Sequence, residues 1–182
     1  LDATTNDNAG VIELNDLAVD GTIGVVTDGL GNATIVNDEN VNFAISNVGG
    51  DLDATATTGN ISQSGSITVA LTTTFETIAD DATITLLDPS NSFTGAITVA
   101  TSGTEGDVSI DGGSATGLDI AASTVGGDLS LLSGNASGIT DSGILTVGGN
   151  LDATTNDNAG VIELNDLAVD GTIGVVTDGL GN

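Results

Sequence analysis

The sequence contains no cysteine, lysine, arginine, histidine, methionine, tryptophan or tyrosine. Without cysteine there are neither disulfides nor thiolate metal sites. Without lysine and arginine the chain has nothing with which to hold nucleic acid or an anionic membrane surface. No apolar run approaches the roughly 20 residues that span a bilayer as a helix. No tryptophan or tyrosine offers a platform on which a sugar could stack. No histidine, lysine or arginine can act as a cationic acid or stabilise an anionic substrate. Only three phenylalanines are present, so any core must be built from Val, Ile, Leu and Ala. The chain has one proline, Pro89.

All 26 charges are negative, and 27 of the 182 residues are glycine. High net charge favours disorder only when apolar content is low. Here 38% of residues are hydrophobic, which is enough to bury a core. Thr, Val and Ile are abundant and favour strands. The apolar residues alternate over short segments broken by Gly, Asn, Asp and Ser, and no long segment carries the helical period.

The stretch Leu1–Asn32 returns without change as Leu151–Asn182. Identity over that length points to a tandem array: residues 1–150 form one unit, and 151–182 begin the next with no linker between them. Finer repeats lie inside the unit. VGGDLDA at Val48–Ala54, VGGDLSL at Val125–Leu131 and VGGNLDA at Val147–Ala153 each read as a strand end, a glycine corner and a new strand. Glycine tolerates the positive φ that such corners are expected to need.

Taking these corners as phase marks gives six turns per unit. The first strands carry Leu1/Ala3, Ile23/Val25, Leu52/Ala54, Phe75/Thr77, Val108/Ile110 and Leu129/Leu131, with a mean spacing of 25 residues. Second strands carry pairs such as Ile12/Leu14, Ala33/Ile35 and Leu118/Ile120. Third strands carry Phe43/Ile45, Ile67/Val69, Ile97/Val99 and Leu145/Val147. A corner glycine recurs at Gly21, Gly50, Gly106, Gly127 and Gly149, with Thr73 in its place once. Three short strands per turn describe a coil whose strands pair in parallel with the turns above and below, about 4.8 Å away. Alternate residues then point inward and stack into apolar columns. Insertions such as Gly29–Asn32 and Asp88–Gly95 fall at corners. The rival all-β arrangement, antiparallel sandwiches, lacks strong hairpin centres; Asp20-Gly21 and Asp111-Gly112 are the only candidates.

The segments Val48–Val69, Asn91–Val99 and Ser123–Leu151 resemble the repeat regions of filamentous-haemagglutinin-like adhesins, bacterial surface proteins of the two-partner-secretion and autotransporter kind. That resemblance implies a right-handed parallel β-helix, export to the cell surface and a role as an extended stalk or filament. It brings no catalytic residues with it. The complete lack of Lys and Arg sets this chain apart from such proteins.

Paired carboxylates could hydrolyse glycosides. The nearest pairs, Asp80/Asp81, Asp38/Glu39 and Asp51/Asp53, fall at corners or on outward positions, so no enzyme is expected and no cofactor is required. Ice binding needs Thr-x-Thr on one face of successive turns; Thr72–Thr74 and Thr83–Thr85 lack matching neighbours. Calcium is the stronger candidate ligand, because Asp and Asn supply hard oxygens. The register stacks Asp107, Asp128 and Asn150 in successive turns, making them the candidate metal ligands, with calcium or another divalent cation as counterion. The expected function is a structural extracellular fibre or adhesin stalk at the cell surface. Its expected partner is itself, through end-to-end or covalent tandem units and lateral bundling. The alternative is an adhesin module that binds glycans or host proteins through its corner insertions. Neither nucleic-acid binding nor membrane insertion is expected.

Overall fold

The computed structural model describes residues 1–156 and 159–178. These form an all-β parallel solenoid; every strand pairing is parallel, and no helix occurs among the described residues. Three walls enclose the interior. The first wall starts at Asp2–Thr4 and Thr22–Val26. It rises through Val41–Phe43, Ile61–Gln63, Ile84–Leu86, Val108–Asp111, Leu129–Ser133, Leu151–Thr155 and Ile173–Thr177. The second wall branches from Thr22–Val26 through Ser46–Val48, Ile67–Val69 and Ser92–Phe93. The third rises through Ile12–Leu17, Ala33–Asn37, Leu52–Ala56, Thr73–Asp80 and Ile97–Ser102. Above Ile97–Ser102 it divides into two stacks. Leu118–Ile120, Ile139–Asp141 and Ile162–Glu163 make one, and Ser123–Val125, Leu145–Val147 and Leu167–Val169 the other.

The ladder runs without interruption across residue 150. Leu129 pairs with Leu151, and Leu151 with Ile173. About eight turns of about 22 residues fill the chain, and seven first-wall steps separate Asp2–Thr4 from Leu151–Thr155. The expected six turns of 25 residues therefore miscount by one. Phe43 belongs to the first wall, where it pairs with Ile23. Leu52/Ala54 and Phe75/Thr77 lie instead on the third wall, two residues out of the expected register: Leu52 pairs with Thr73, Ala54 with Phe75 and Ala56 with Thr77. The overlong sequence gaps from Ile23 to Leu52 and from Phe75 to Val108 hid the missing turn.

The cause lies in where the repeated corner falls. VGGDLDA joins the second wall to the third, whereas VGGDLSL, 77 residues later (125 − 48), joins the third to the first. One motif thus occupies different corners at different heights. The shift happens where a long strand is covered by two short ones. Thr22–Val26 lies under both Val41–Phe43 and Ser46–Val48, and Ile97–Ser102 under both Leu118–Ile120 and Ser123–Val125. At each place the strand above turns a corner and the ladder skips a carbonyl. A buried serine fills the gap: Ser46 Oγ accepts from the Val25 N–H at 3.2 Å, and Ser123 Oγ from the Val99 N–H at 3.0 Å. A buried N–H without a partner would cost about 1–3 kcal/mol, so these serines make the shift tolerable.

Inward residues form one continuous core. Leu129, Leu131, Ile97, Val99, Leu145 and Val147 are buried, while Asp128, Ser130 and Thr146 are exposed and Thr98 is half-buried. The three phenylalanines come from three different walls and meet inside. Phe43–Phe75 and Phe75–Phe93 are edge-to-face at 6.0 and 6.1 Å, within the favoured aromatic geometry. Two placements read from the sequence fail. Ile45 sits on the corner that the shift creates and is 72% exposed. Thr73 is no corner residue but a core position between Leu52 and Ile97. Its hydroxyl is buried without a partner.

The Gly-Gly corners need glycine for a different reason from the expected one. Among the described residues, positive φ occurs in Gly29, Gly103, Gly113, Gly138 and Asp81, and not in the Gly-Gly corners of the VGG motifs. Turns stack so closely at these corners that a side chain cannot enter. A Cβ on Gly148 would overlap the Gly126 carbonyl oxygen, and one on Gly50 would lie 2.7 Å from the Leu30 oxygen.

Candidate functional site

Asp107, Asp128 and Asn150 do stack on successive turns, because Val108, Leu129 and Leu151 beside them are in register. Their side chains point along the solenoid axis to the backbone of the next turn. Asp107 Oδ1 accepts from the Asp128 N–H at 2.7 Å, and Asp128 Oδ1 from the Asn150 N–H at 2.6 Å. Asn150 Oδ1 accepts from the Thr172 N–H at 2.9 Å. Each side chain thus satisfies a corner amide that the strand ladder leaves over. The same device recurs elsewhere: Asn32 holds the Asp51 N–H and Asp51 holds the Thr72 N–H, at 2.9 and 3.0 Å. Asn40 serves Asn60, and Asn60 serves Thr83, at 2.9 and 2.8 Å. These oxygens are engaged as acceptors within the protein, whatever else binds them. Among the described residues no group of three or more acidic side chains takes up a metal-holding arrangement.

The weighed carboxylate pairs are spread over several corners. Glu39, Asp80 and Asp81 line one shallow groove together with Asn40, Thr58 and Asn60. Asp80 Oδ1 accepts from the Ser102 hydroxyl at 2.8 Å, and Asp81 Oδ1 from the Glu105 N–H at 3.0 Å. The hydrogen bond and the charge of Asp20 raise the Glu39 carboxyl above its ordinary pKa, and Asp38 adds to this. Asp53 lies on an outward strand position between Thr34 and Thr74.

The sequence reading missed a buried polar cluster. Asn91, in the Asp88–Gly95 insertion, is 1% exposed. Its Oδ1 accepts from the Ile67 N–H at 2.9 Å, and its Nδ2 donates to Gln63 Oε1 at 2.9 Å and to the Asp111 carbonyl at 3.0 Å. Asp111 beside it accepts from the Gly113 N–H at 2.8 Å. Burial raises its carboxyl above the ordinary value, the Gly113 bond opposes this, and Asp88 adds to it. The insertion is therefore pinned into the wall, and no hydrophobic pattern announces this.

The two identical segments share their first-wall pairing but not their strand pattern: Ile12–Leu17 is one strand, whereas its copy divides into Ile162–Glu163 and Leu167–Val169. Asp2 pairs with Gly24, and Asp152 pairs with Gly174. Ile23 and Val25 are fully buried under the following turn, whereas their copies Ile173 and Val175 are 53% and 54% exposed. Among the described residues no turn lies above Ile173 and Val175.

The fold and these ladders define a repeat-built β-solenoid. Two stretches of the chain, residues 30–100 and 105–179, match the model of a family described as repeats of unknown function, DUF5649. The chain belongs to that family. No curated protein and no solved structure matches it. The two matched stretches each carry one VGGD corner, in keeping with the 77-residue shift that moves the motif from wall to wall.

Proposed function

We propose that this chain is part of a structural extracellular fibre or adhesin stalk at a bacterial cell surface, assembled from tandem identical units. The observation that carries the proposal is the unbroken ladder across residue 150, from Leu129 through Leu151 to Ile173. In a solenoid each turn contacts only its neighbours, so stability grows with length and no new core is needed. The mechanism is mechanical: parallel ladders run along the axis and apolar columns fill it. Resemblance to haemagglutinin-type repeats supports the surface location. The uniform negative charge supports solubility and repulsion between neighbouring rods, with divalent counterions such as calcium available for lateral bundling.

The test is to express one, two and three 150-residue units and measure rod length by small-angle scattering. Seven turns predict an increase of about 34 Å per unit. Beads joined flexibly would overturn the reading. Specific, saturable binding of one unit to a glycan or protein array would favour the alternative, an adhesin module acting through Gly29–Asn32 or Asp88–Gly95.

A further inference from the structure

We infer that Asp28–Gly29 is a site of spontaneous backbone modification, where the Gly29 amide nitrogen attacks the Asp28 carboxyl and the corner passes through a succinimide to isoaspartate. The sequence joins Asp to Gly at Asp20, Asp28, Asp111, Asp170 and Asp178, the last two being copies of the first two. A glycine after the aspartate puts no Cβ in the way of ring closure, so the sequence makes these pairs alike. The structure separates them by what each glycine amide is doing. The Gly112 N–H donates to the Leu132 carbonyl, and the Gly171 N–H to the Gly149 carbonyl, both at 2.9 Å. Those amides are committed to a neighbouring turn. Asp111 is also buried, and its carboxylate accepts from the Gly113 N–H at 2.8 Å. The Gly29 N–H donates instead to Oδ1 of Asp28 itself, at 2.9 Å, and both residues are exposed. Nucleophile and electrophile of one ring closure are already in contact, which removes most of the entropy of bringing them together.

Ring closure makes a bond between Gly29 N and Asp28 Cγ, and the amide proton leaves with the carboxyl hydroxyl as water. Water then opens the ring. Attack at Cγ restores aspartate, and attack at the backbone carbonyl leaves the chain running through Cγ, with a free carboxylate on Cα. The water lost is regained, so mass and charge are unchanged and no oxidant, reductant or cofactor enters. The product lengthens the main chain by one carbon where there is no room for slack. Thr27 Oγ1 donates to the Gly31 carbonyl at 2.6 Å and accepts from the Gly49 N–H at 2.9 Å. The Asp28 carbonyl accepts from the Gly31 N–H at 3.1 Å. A Cβ on Gly49 would already overlap the Gly29 carbonyl oxygen. The fold does not demand aspartate here. Thr101 builds the same corner, donating to the Gly106 carbonyl at 2.5 Å and accepting from the Gly126 N–H at 3.1 Å. Gly103 there has φ +78°, as Gly29 has +60°, but Ser102 stands in place of Asp28.

The test holds the full chain for weeks in mildly acidic buffer, folded and in urea. Peptides cleaved at glutamate are then mapped for isoaspartate by electron-transfer fragmentation. In the folded chain Asp28 should convert about tenfold faster than Asp111 or Asp170, since their amides must first give up a ladder hydrogen bond. In urea the three rates should converge. Equal rates in the folded chain, or Asp28 trailing either of the others, would overturn the inference. A difference that persists in urea would overturn it too, because the sequence and not the corner would then be its source. Asp28→Ser, which copies the Ser102–Gly103 corner, is aged alongside. Parent and variant should begin with matching thermal melts, and only the parent should lose stability as isoaspartate accumulates. Melts that stay matched would show that the corner tolerates the longer chain and would overturn its loosening. Neither readout depends on whether the units form a fibre.

Discussion

Asp128 tests whether stacked acids are held together by the backbone or by cations. Asp107 lies one turn below it, about 4.8 Å away. Two charges at that distance in water repel by about 0.9 kcal/mol, and by about 0.5 kcal/mol with a Debye length near 8 Å. Against this, Asp128 Oδ1 accepts from the Asn150 N–H at 2.6 Å and from Asn150 Nδ2 at 3.2 Å. A charged hydrogen bond contributes about 1.5–3 kcal/mol when shielded, and nearer 1 kcal/mol at an exposed corner. On these magnitudes the hydrogen bonds outweigh the repulsion, so the column is expected to hold without a bridging cation. Asp128→Asn keeps the acceptor and removes the repulsion, so its stability should stay within about 0.5 kcal/mol of the parent. Asp128→Ala removes the acceptor and should cost about 1 kcal/mol. The assay is urea unfolding followed by circular dichroism, in chelator and then in calcium at matched ionic strength. If Asp128→Asn falls as far as Asp128→Ala, and only calcium separates the parent from both, the backbone ladder is not what holds the column. Asp107 and Asp128 would then be bridged by the ion.

Leu129→Asp would place a carboxylate at a fully inward position and should cost at least 3 kcal/mol, whereas Ser130→Asp next to it faces water and should cost less than about 0.5 kcal/mol. Comparable unfolding midpoints for the two would contradict the register. Gly148→Ala forces a methyl group into the Gly126 carbonyl and should destabilise by about 2 kcal/mol, more than the about 0.4–1 kcal/mol that reduced entropy of the unfolded chain could offset; a neutral thermal melt would count against close stacking at the corner. Thr73→Val removes a buried hydroxyl that has no partner and should raise stability by about 1 kcal/mol in the same assay. Asp111 has a raised pKa because it is buried. The folded state therefore binds its proton more tightly than the unfolded state, and stability from this group rises as pH falls through the raised value. The gain is complete below the ordinary carboxylate pKa of about 3.9. Asp111→Asn should remove that share of the pH dependence while keeping an acceptor for Gly113, and an unchanged slope of stability against pH would exclude Asp111 as its source.

Alternation of Val, Ile and Leu with polar residues, together with recurring Gly-Gly corners, was enough to read a parallel solenoid and most of its inward positions. Period-two burial is local and most strands display it: Leu129 and Leu131 announce themselves whatever lies above them. The stacking of Asp107, Asp128 and Asn150 was legible for the same reason, since each immediately precedes an aligned core residue. Which wall a strand occupies is not local. VGGD reads identically at Val48 and at Val125, yet the two corners join different walls, because Thr22–Val26 and Ile97–Ser102 each accept two strands above them. Only stacking decides that, and it changed the turn count from six to seven. Stacking also decided what the glycines of the Gly-Gly corners are for, namely close approach of one backbone to the next. It set the direction of the acidic side chains, toward amides one turn away, and the depth at which Asn91 is buried. Finally, it gave one sequence two strand patterns. Ile12–Leu17 is a single strand, whereas its copy divides into Ile162–Glu163 and Leu167–Val169 with identical neighbours along the chain, because the copy stacks on two separate strands, Ile139–Asp141 and Leu145–Val147.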